Sequence, residues 1–271
     1  MMLLQVKNIS KYYQTHSLMG ASEPRLILDD VSFVIQEGET IALLGRSGCG
    51  KSTLARQICG LEYPETGEIL YRATSTRKLD REQTRLFRRD VQMVFQDSPS
   101  AVDPRMTIRS IIEEPLRHLT ELRSEQRLKR IAELLEMVEL PKDLINKLPS
   151  QISGGQLQRV CIARSLAANP KLIILDEAVS NLDTHLQASA LKLLAKLQES
   201  QSVSYLFVTH DLRLVERFAD RIIVMEDGRL VEEQDNGQIE TLKHKASIAL
   251  KDAILPPLPD KRNKCSHELY V

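Results

Sequence analysis

Residues 45–52 read GRSGCGKS and fit the phosphate-binding pattern G-x-x-x-x-G-K-[ST] at every required position. The run before them, TIALL (40–44), is apolar and strand-like, and the run after them, TLARQIC (53–59), reads as the start of a helix. A glycine-rich turn between a strand and a helix aims several backbone N–H groups into one hollow, and the helix dipole adds positive potential there. Gly45, Arg46, Ser47, Gly48, Cys49 and Gly50 are therefore candidates to wrap a polyphosphate. Lys51 has the reach for the outer phosphates, the Ser52 hydroxyl suits Mg²⁺, and Thr53 follows at the helix start. The chemistry on offer is nucleotide binding.

Other residues have the types needed to split a bound nucleotide. Asp176 and Glu177 follow the apolar run KLIIL (171–175). The C-terminal end of such a strand is where open α/β sheets bind ligands. Asp176 there suits Mg²⁺, and Glu177 is then free to orient or deprotonate a water aimed at a γ-phosphate. The alternative is a solvent-exposed acidic pair capping a strand. Gln96 follows VQMVF and opens the loop QDSPSAVDP, where its amide suits Mg²⁺ or that water, or is simply solvated. Ser153-Gly154-Gly155-Gln156 has the Ser/Gln spacing of a capping box, with two glycines in the first turn that cost helix stability but allow close backbone approach of a second anion. An ordinary capped helix is the other reading. His210 ends SYLFVTH and is either a γ-phosphate contact or a strand-end histidine with a structural partner. Tyr13 is a candidate to stack on a base, although Tyr12 beside it is equally aromatic and both suit a hydrophobic edge.

These residues require elements to position them. Residues 3–9, 26–35, 67–71, 91–95, 171–175 and 204–209 read as strands, and 221–225 with 228–232 as a hairpin around Asp227-Gly228. Residues 107–120 and 124–140 read as helices. In the second, Leu128, Ile131, Leu134, Leu135 and Val138 share a face, and Pro141 closes it. Leu186, Ala190, Leu193, Leu194 and Leu197 mark a further amphipathic helix. Strands alternating with helices behind a phosphate loop imply a mainly parallel sheet with helices on both faces. The helical block of about residues 97–160 interrupts that alternation as an inserted subdomain of a domain spanning 1–240. Residues 241–271 hold one more helix (about 246–254) and a Pro-rich, charged end.

Bulk composition narrows the classes. Lys plus Arg and Asp plus Glu are 37 each, so nothing global favours nucleic acid or an acidic partner. No apolar run approaches the roughly 18 residues that span a bilayer, and the first residues do not read as a signal peptide. The chain is therefore expected to stay in the cytosol and to reach a membrane through partners. Four scattered cysteines fit reduced thiols. Cys265 and His267 are too few for a metal site by themselves.

Taken in order, these motifs resemble the ATP-binding subunit of an ABC transporter. An aromatic (Tyr13), the phosphate loop (45–52), a Q-loop (Gln96), the signature ISGGQLQR (152–159), a Walker B strand with its glutamate (172–177), a D-loop SNLD (180–183) and a switch histidine (His210) cover about residues 3–235. The resemblance implies a P-loop NTPase (RecA-like) core with a mainly parallel sheet, an antiparallel β subdomain and an inserted α-helical subdomain. It implies two subunits sandwiching two ATPs, each between one subunit's phosphate loop and the other's signature helix. Gly45, Gly48, Gly50, Lys51, Ser52 and Thr53 would hold phosphates and Mg²⁺, with Gln96 and Asp176 completing the metal shell. Glu177 would be the base and His210 the γ-phosphate partner. Ser153, Gly154, Gly155 and Gln156 would serve the opposite subunit's ATP, and Asp183 would cross the dimer. Segment 87–116, FRRDVQMVFQDSPSAVDPRMTIRSIIEEPL, is similar to the peptide and nickel importer branch. Ala178 stands where peptide members usually carry proline, and residues 244–247 read HKAS where they tend to carry H-P-Y-T. The implied role is to drive nickel uptake, with di- or oligopeptide uptake as the alternative. The implied setting is the cytoplasmic side of a bacterial inner membrane, as a peripheral subunit beside a related ATPase, two permeases and a periplasmic binding protein. A soluble ABC ATPase acting on DNA or ribosomes would usually add coiled-coil insertions or a second fused half. A P-loop kinase would leave the SGGQ segment unexplained.

Overall fold

The computed structural model describes residues 1–14, 16–17, 20–21, 23–179, 184–216, 218–235 and 238–252. The chain opens with strand β1 (Met2–Tyr13), a two-residue pair β2 (His16–Ser17) and β3 (Gly20–Ala21), then β4 (Arg25–Gln36) and β5 (Thr40–Leu44). Helix α1 (Lys51–Ile58) follows, then β6 (Thr66–Tyr71), β7 (Thr74–Ser75), α2 (Arg81–Asp90) and β8 (Val91–Val94). The helical block contains α3 (Ile108–Leu119), α4 (Ser124–Met137) and α5 (Gly154–Leu166). The second half runs β9 (Leu172–Asp176), α6 (Thr184–Gln201), β10 (Ser204–Thr209), α7 (Leu212–Val215), β11 (Arg221–Glu226), β12 (Arg229–Asp235) and α8 (Lys245–Asp252).

The central sheet has the order β12-β11-β5-β10-β9-β8. Its strands are parallel except β12, which pairs antiparallel with β11. A second sheet, β4-β1-β6-β7, is antiparallel throughout. The mixed P-loop architecture expected from the sequence is the one observed. Strands β5, β9 and β10 are buried at every residue, which explains why they read as continuous apolar runs rather than alternating ones.

One hydrophobic cluster joins α3, α4, α5 and α6 to one face of β9 and β10, so the helical block shares its core with the main sheet. A second cluster lies between the two sheets, around Leu3, Ile35, Leu54 and Ile174. In α4 the expected face holds Ile131, Leu134, Leu135 and Val138 with at most 0% exposure, but Leu128 is exposed because it projects beyond the packed face near the helix start. Pro141 is not what stops α4. The helix ends at Met137, and Glu139 turns into the left-handed region (φ 55°) before the proline. Helix α2 had no place in the sequence reading, although Asp80 and Gln83 form a complete capping box at its start.

Candidate nucleotide site

Parallel register builds the site. Thr209 lies opposite Leu44, Val208 opposite Asp176, and Val94 opposite Leu175. The C-terminal ends of β5, β8, β9 and β10 therefore reach one edge together. That edge gathers Gly45, Gln96, Glu177 and His210, which are dispersed over 165 positions of sequence. Loops leaving a common sheet edge are the usual ligand site of this architecture.

The phosphate loop is gripped from behind. A Cβ on Gly45 would stand 2.4 Å from the Met225 carbonyl oxygen and 2.6 Å from Cys49 Sγ; one on Gly50 (φ 108°) would meet the Ile27 carbonyl oxygen at 2.8 Å. Gly228, at the hairpin turn, donates its N–H to the Cys49 carbonyl (3.1 Å). That bond ties the loop to the hairpin turn. The Cys49 thiol is buried in the core, and burial raises its pKa against the opposing pull of Lys51, so this residue contributes backbone rather than reactivity. Lys51 is 4% exposed, yet its ammonium is held by the carbonyls of Gly45 (2.8 Å) and Arg46 (3.0 Å) and not by a carboxylate. A buried cation with only neutral partners is suited to receive an anion. Helix α1 has no side-chain cap at Gly50, leaving its first N–H groups for a ligand.

A cavity of about 310 Å³ is lined by Tyr13, Arg25, Ile27, Ser47, Gly48, Gly50, Lys51, Ser52, Thr53, Gln96 and Glu177. Arg46 and Cys49 line an adjoining cavity behind the loop, with Gly45, Asp227 and Leu250. The Ser52 hydroxyl donates to Asp176 Oδ1 (3.0 Å), so hydroxyl and carboxylate face one point between α1 and β9. Burial raises the Asp176 pKa; the Ser52 bond opposes this and the Glu177 charge adds to it. An oxygen-rich pair of this kind fits Mg²⁺.

Glu177 is the hub of the other half. Its carboxylate accepts from Gln96 Nε2 (2.9 Å) and lies 3.4 Å from His210 Nδ1. Its backbone is left-handed (φ 48°) with its N–H donated to the Val208 carbonyl (3.0 Å). For a glutamate that conformation costs about 1 kcal/mol, and such strain gathers at functional sites. Gln96 thus meets Glu177 directly, whereas Ser52 and Asp176 form a separate pair.

The segment 153–156 does not join this cavity. Ser153 accepts from the Gln156 N–H (3.2 Å) while Gln156 Oε1 accepts from the Ser153 N–H (3.0 Å), the capping box expected from sequence. Gly154 has open space where a Cβ would stand. The segment is a surface helix start presented outward. Asp183, with the rest of 180–183, lies outside the described residues, as does the Cys265/His267 pair.

A family model described as ABC transporter matches residues 28–180. The chain belongs to the ABC transporter family. It is 59% identical to the nickel import ATP-binding protein NikE of Brucella suis biovar 1 (strain 1330), covering 96% of this chain and 97% of that one. It is 52% identical to the protein of the same name from Escherichia coli O157:H7, over 97% and 98% of the two chains. Among solved structures it is similar to the ATP-binding cassette MJ0796 in a dimeric post-hydrolysis state bound to ADP and Pi, with a TM-score of 0.76, 36% identity and coverage of 86% and 98%. It is also similar to cbiO1 from Clostridium perfringens, part of the ABC transporter complex cbiONQ, with a TM-score of 0.74, 27% identity and coverage of 87% and 89%.

Sequence reading missed Arg25 and Ile27, which line the cavity from β4, and Arg56 and Glu62, which hold Tyr13. No motif marks Arg25 or Ile27. Arg56 had a signal: it stands three residues after Thr53 on α1, hence on the same helical face.

Proposed function

We propose that this ABC transporter chain is the ATP-hydrolysing subunit of a nickel importer. The observation that supports the reading best is the sheet edge itself, where the phosphate loop, the Ser52–Asp176 pair and the Gln96–Glu177–His210 cluster converge. Gly45, Gly48, Gly50, Lys51 and Thr53 bind the triphosphate. Ser52, Asp176 and Gln96 would hold Mg²⁺, which when bound supplies positive charge to the outer phosphates. Glu177 takes the proton of the attacking water, with Gln96 orienting its carboxylate. His210 contacts the γ-phosphate and registers its loss, and Tyr13 stacks on the adenine. Ser153, Gly154, Gly155 and Gln156 cover the γ-phosphate of an ATP bound to a companion ATPase, and Asp183 crosses the same interface. Two γ-phosphates hold such a pair closed, and their hydrolysis releases it.

The companion is a related ATPase, and the pair works with two permeases and a periplasmic binding protein, without nucleic acid. Among the described residues no helix is long and apolar enough to cross a membrane, consistent with a peripheral subunit on the cytoplasmic side of the inner membrane. The loop after Gln96 and an adjacent cavity of about 380 Å³, lined in part by Leu61, Met93, Phe95 and Pro115, form the face assigned to the permeases. A shift there acts within one residue of a side chain bonded to Glu177. Nickel as cargo is supported by the naming of the full-length relatives. The test is deletion of the subunit in its host, followed by uptake of radioactive nickel at low external concentration beside dipeptide uptake. Loss of nickel uptake alone is expected. Retained nickel uptake with lost dipeptide uptake reassigns the subunit to a peptide importer.

A further inference from the structure

Tyr13 lines the nucleotide cavity from the end of β1, a 38% exposed side chain that by itself is free to change rotamer. It is held by residues from α1 and the loop behind it. The Tyr13 hydroxyl donates to Glu62 Oε2. Glu62 Oε1 accepts from Arg56 Nε at 2.6 Å. Arg56 Nη2 lies 3.4 Å from the Tyr13 hydroxyl oxygen and 3.3 Å from Thr53 Oγ1. One guanidinium thus touches both the aromatic platform and the residue that follows the phosphate loop. Lys11 Nζ stands 5.4 Å from the ring centroid, itself fixed by Glu65 Oε1 at 2.8 Å. That cation stands over the ring.

We propose that Arg56 and Glu62 are positioning residues for the nucleotide base, clamping the Tyr13 hydroxyl so that the ring stands at a set distance from the phosphate loop before ATP arrives. This rests on the reading of Tyr13 as the adenine platform. The physical gain is preorganisation: a ring already ordered loses no rotamer freedom on binding. Arg56 sets the spacing because it bonds at both ends of the site. The Tyr13–Glu62 bond acts on the base and not on the phosphates, which distinguishes it from a contact that merely supports the fold.

The test compares two probes on the full-length chain, MgATP and Mg-bound inorganic triphosphate, which lacks the base. Glu62→Ala and Tyr13→Phe are each expected to weaken MgATP by about five- to tenfold while triphosphate stays within about twofold. The double variant should be no weaker than either single one, because both remove the same bond. Glu62→Gln, whose amide oxygen still accepts from the hydroxyl, should recover most of the loss. In the assembled importer the same variants should raise KM for ATP more than they lower kcat. Equal weakening of both probes by Glu62→Ala, an unchanged MgATP affinity, or an additive double variant overturns the clamp. Should Glu62→Ala fold poorly, Tyr13→Phe deletes the same bond without disturbing the Arg56–Glu62 pair. Tyr13→Ala separates the two readings. If it weakens MgATP selectively by about tenfold while Glu62→Ala does not, stacking stands and the clamp is overturned. If it weakens neither probe selectively, the platform fails and the clamp with it.

Discussion

The phosphate loop and the start of α5 are both glycine-bearing helix N-termini, yet they are built on opposite plans. At the loop, a Cβ on Gly45 or Gly50 would strike backbone oxygens of Met225 or Ile27, and α1 carries no side-chain cap. At α5, Gly154 faces open space and the helix is closed by its own Ser153–Gln156 capping box. The first site is shaped by packing from β4, β11 and the β11–β12 turn, and keeps its N–H groups unspent for a ligand within the same chain. The second is complete as a helix, with its first glycine facing open space. The difference shows that one motif takes its shape from the whole fold, whereas the other is closed by its own turn.

Substitutions at the two ends should separate these plans. Glu177→Gln carries the largest expected effect, a fall in steady phosphate release of about 10³-fold with MgATP binding retained. The variant should accumulate an ATP-bound pair, visible by sedimentation. Hydrolysis at the parental rate would remove Glu177 from its role. Gly45→Ala should destabilise the chain by about 1–3 kcal/mol in thermal or denaturant melts, since the added carbon meets backbone. Gly154→Ala should change stability by less than about 1 kcal/mol. Equal costs at the two positions would erase the contrast. Gly154→Glu should leave MgATP binding to the single chain intact and weaken ATP-driven pairing by about tenfold or more, through repulsion from a phosphate on the companion. Pairing that survives this charge would mean the signature turn lies away from the nucleotide.

A further small effect concerns the block that carries α5. Glu113 is buried, with Arg127 at 2.9 Å and Arg117 and Arg109 at 3.6 and 3.8 Å. The Arg127 hydrogen bond holds its carboxyl below the usual glutamate range, against the cost of burial. A lowered folded pKa means that the stabilisation is complete above about pH 5 and is lost as pH falls through the folded value. Glu113→Gln should therefore lower stability at pH 7 by about 1 kcal/mol, with the gap to the parent chain closing as pH falls through the folded value. A gap that persists in acid would point to packing and not charge.

Legibility in the sequence followed the range of the interaction. The capping box at 153–156 spans four residues and was readable as written. So were the phosphate loop, the buried strands and the hairpin at Asp227-Gly228, because each repeats a local stereochemical rule. Leu128 and Pro141 misled because periodicity cannot tell where a packed face ends, and a helix can stop through its own backbone before a proline is reached. The Tyr13–Glu62–Arg56 contacts were invisible. They join β1, α1 and a loop across up to 49 positions, and no spacing rule links them.

The residues alone determined the chemistry available: a glycine turn before Lys51 and Ser52, an acidic pair after an apolar strand, and a self-capping SGGQ turn. Only the folded sheet decided that Gln96, Glu177 and His210 meet, because strand order and parallel register are set by how buried faces pack and not by neighbours along the chain. The same packing buried the Lys51 ammonium among carbonyls, with neutral partners only at hydrogen-bond distance.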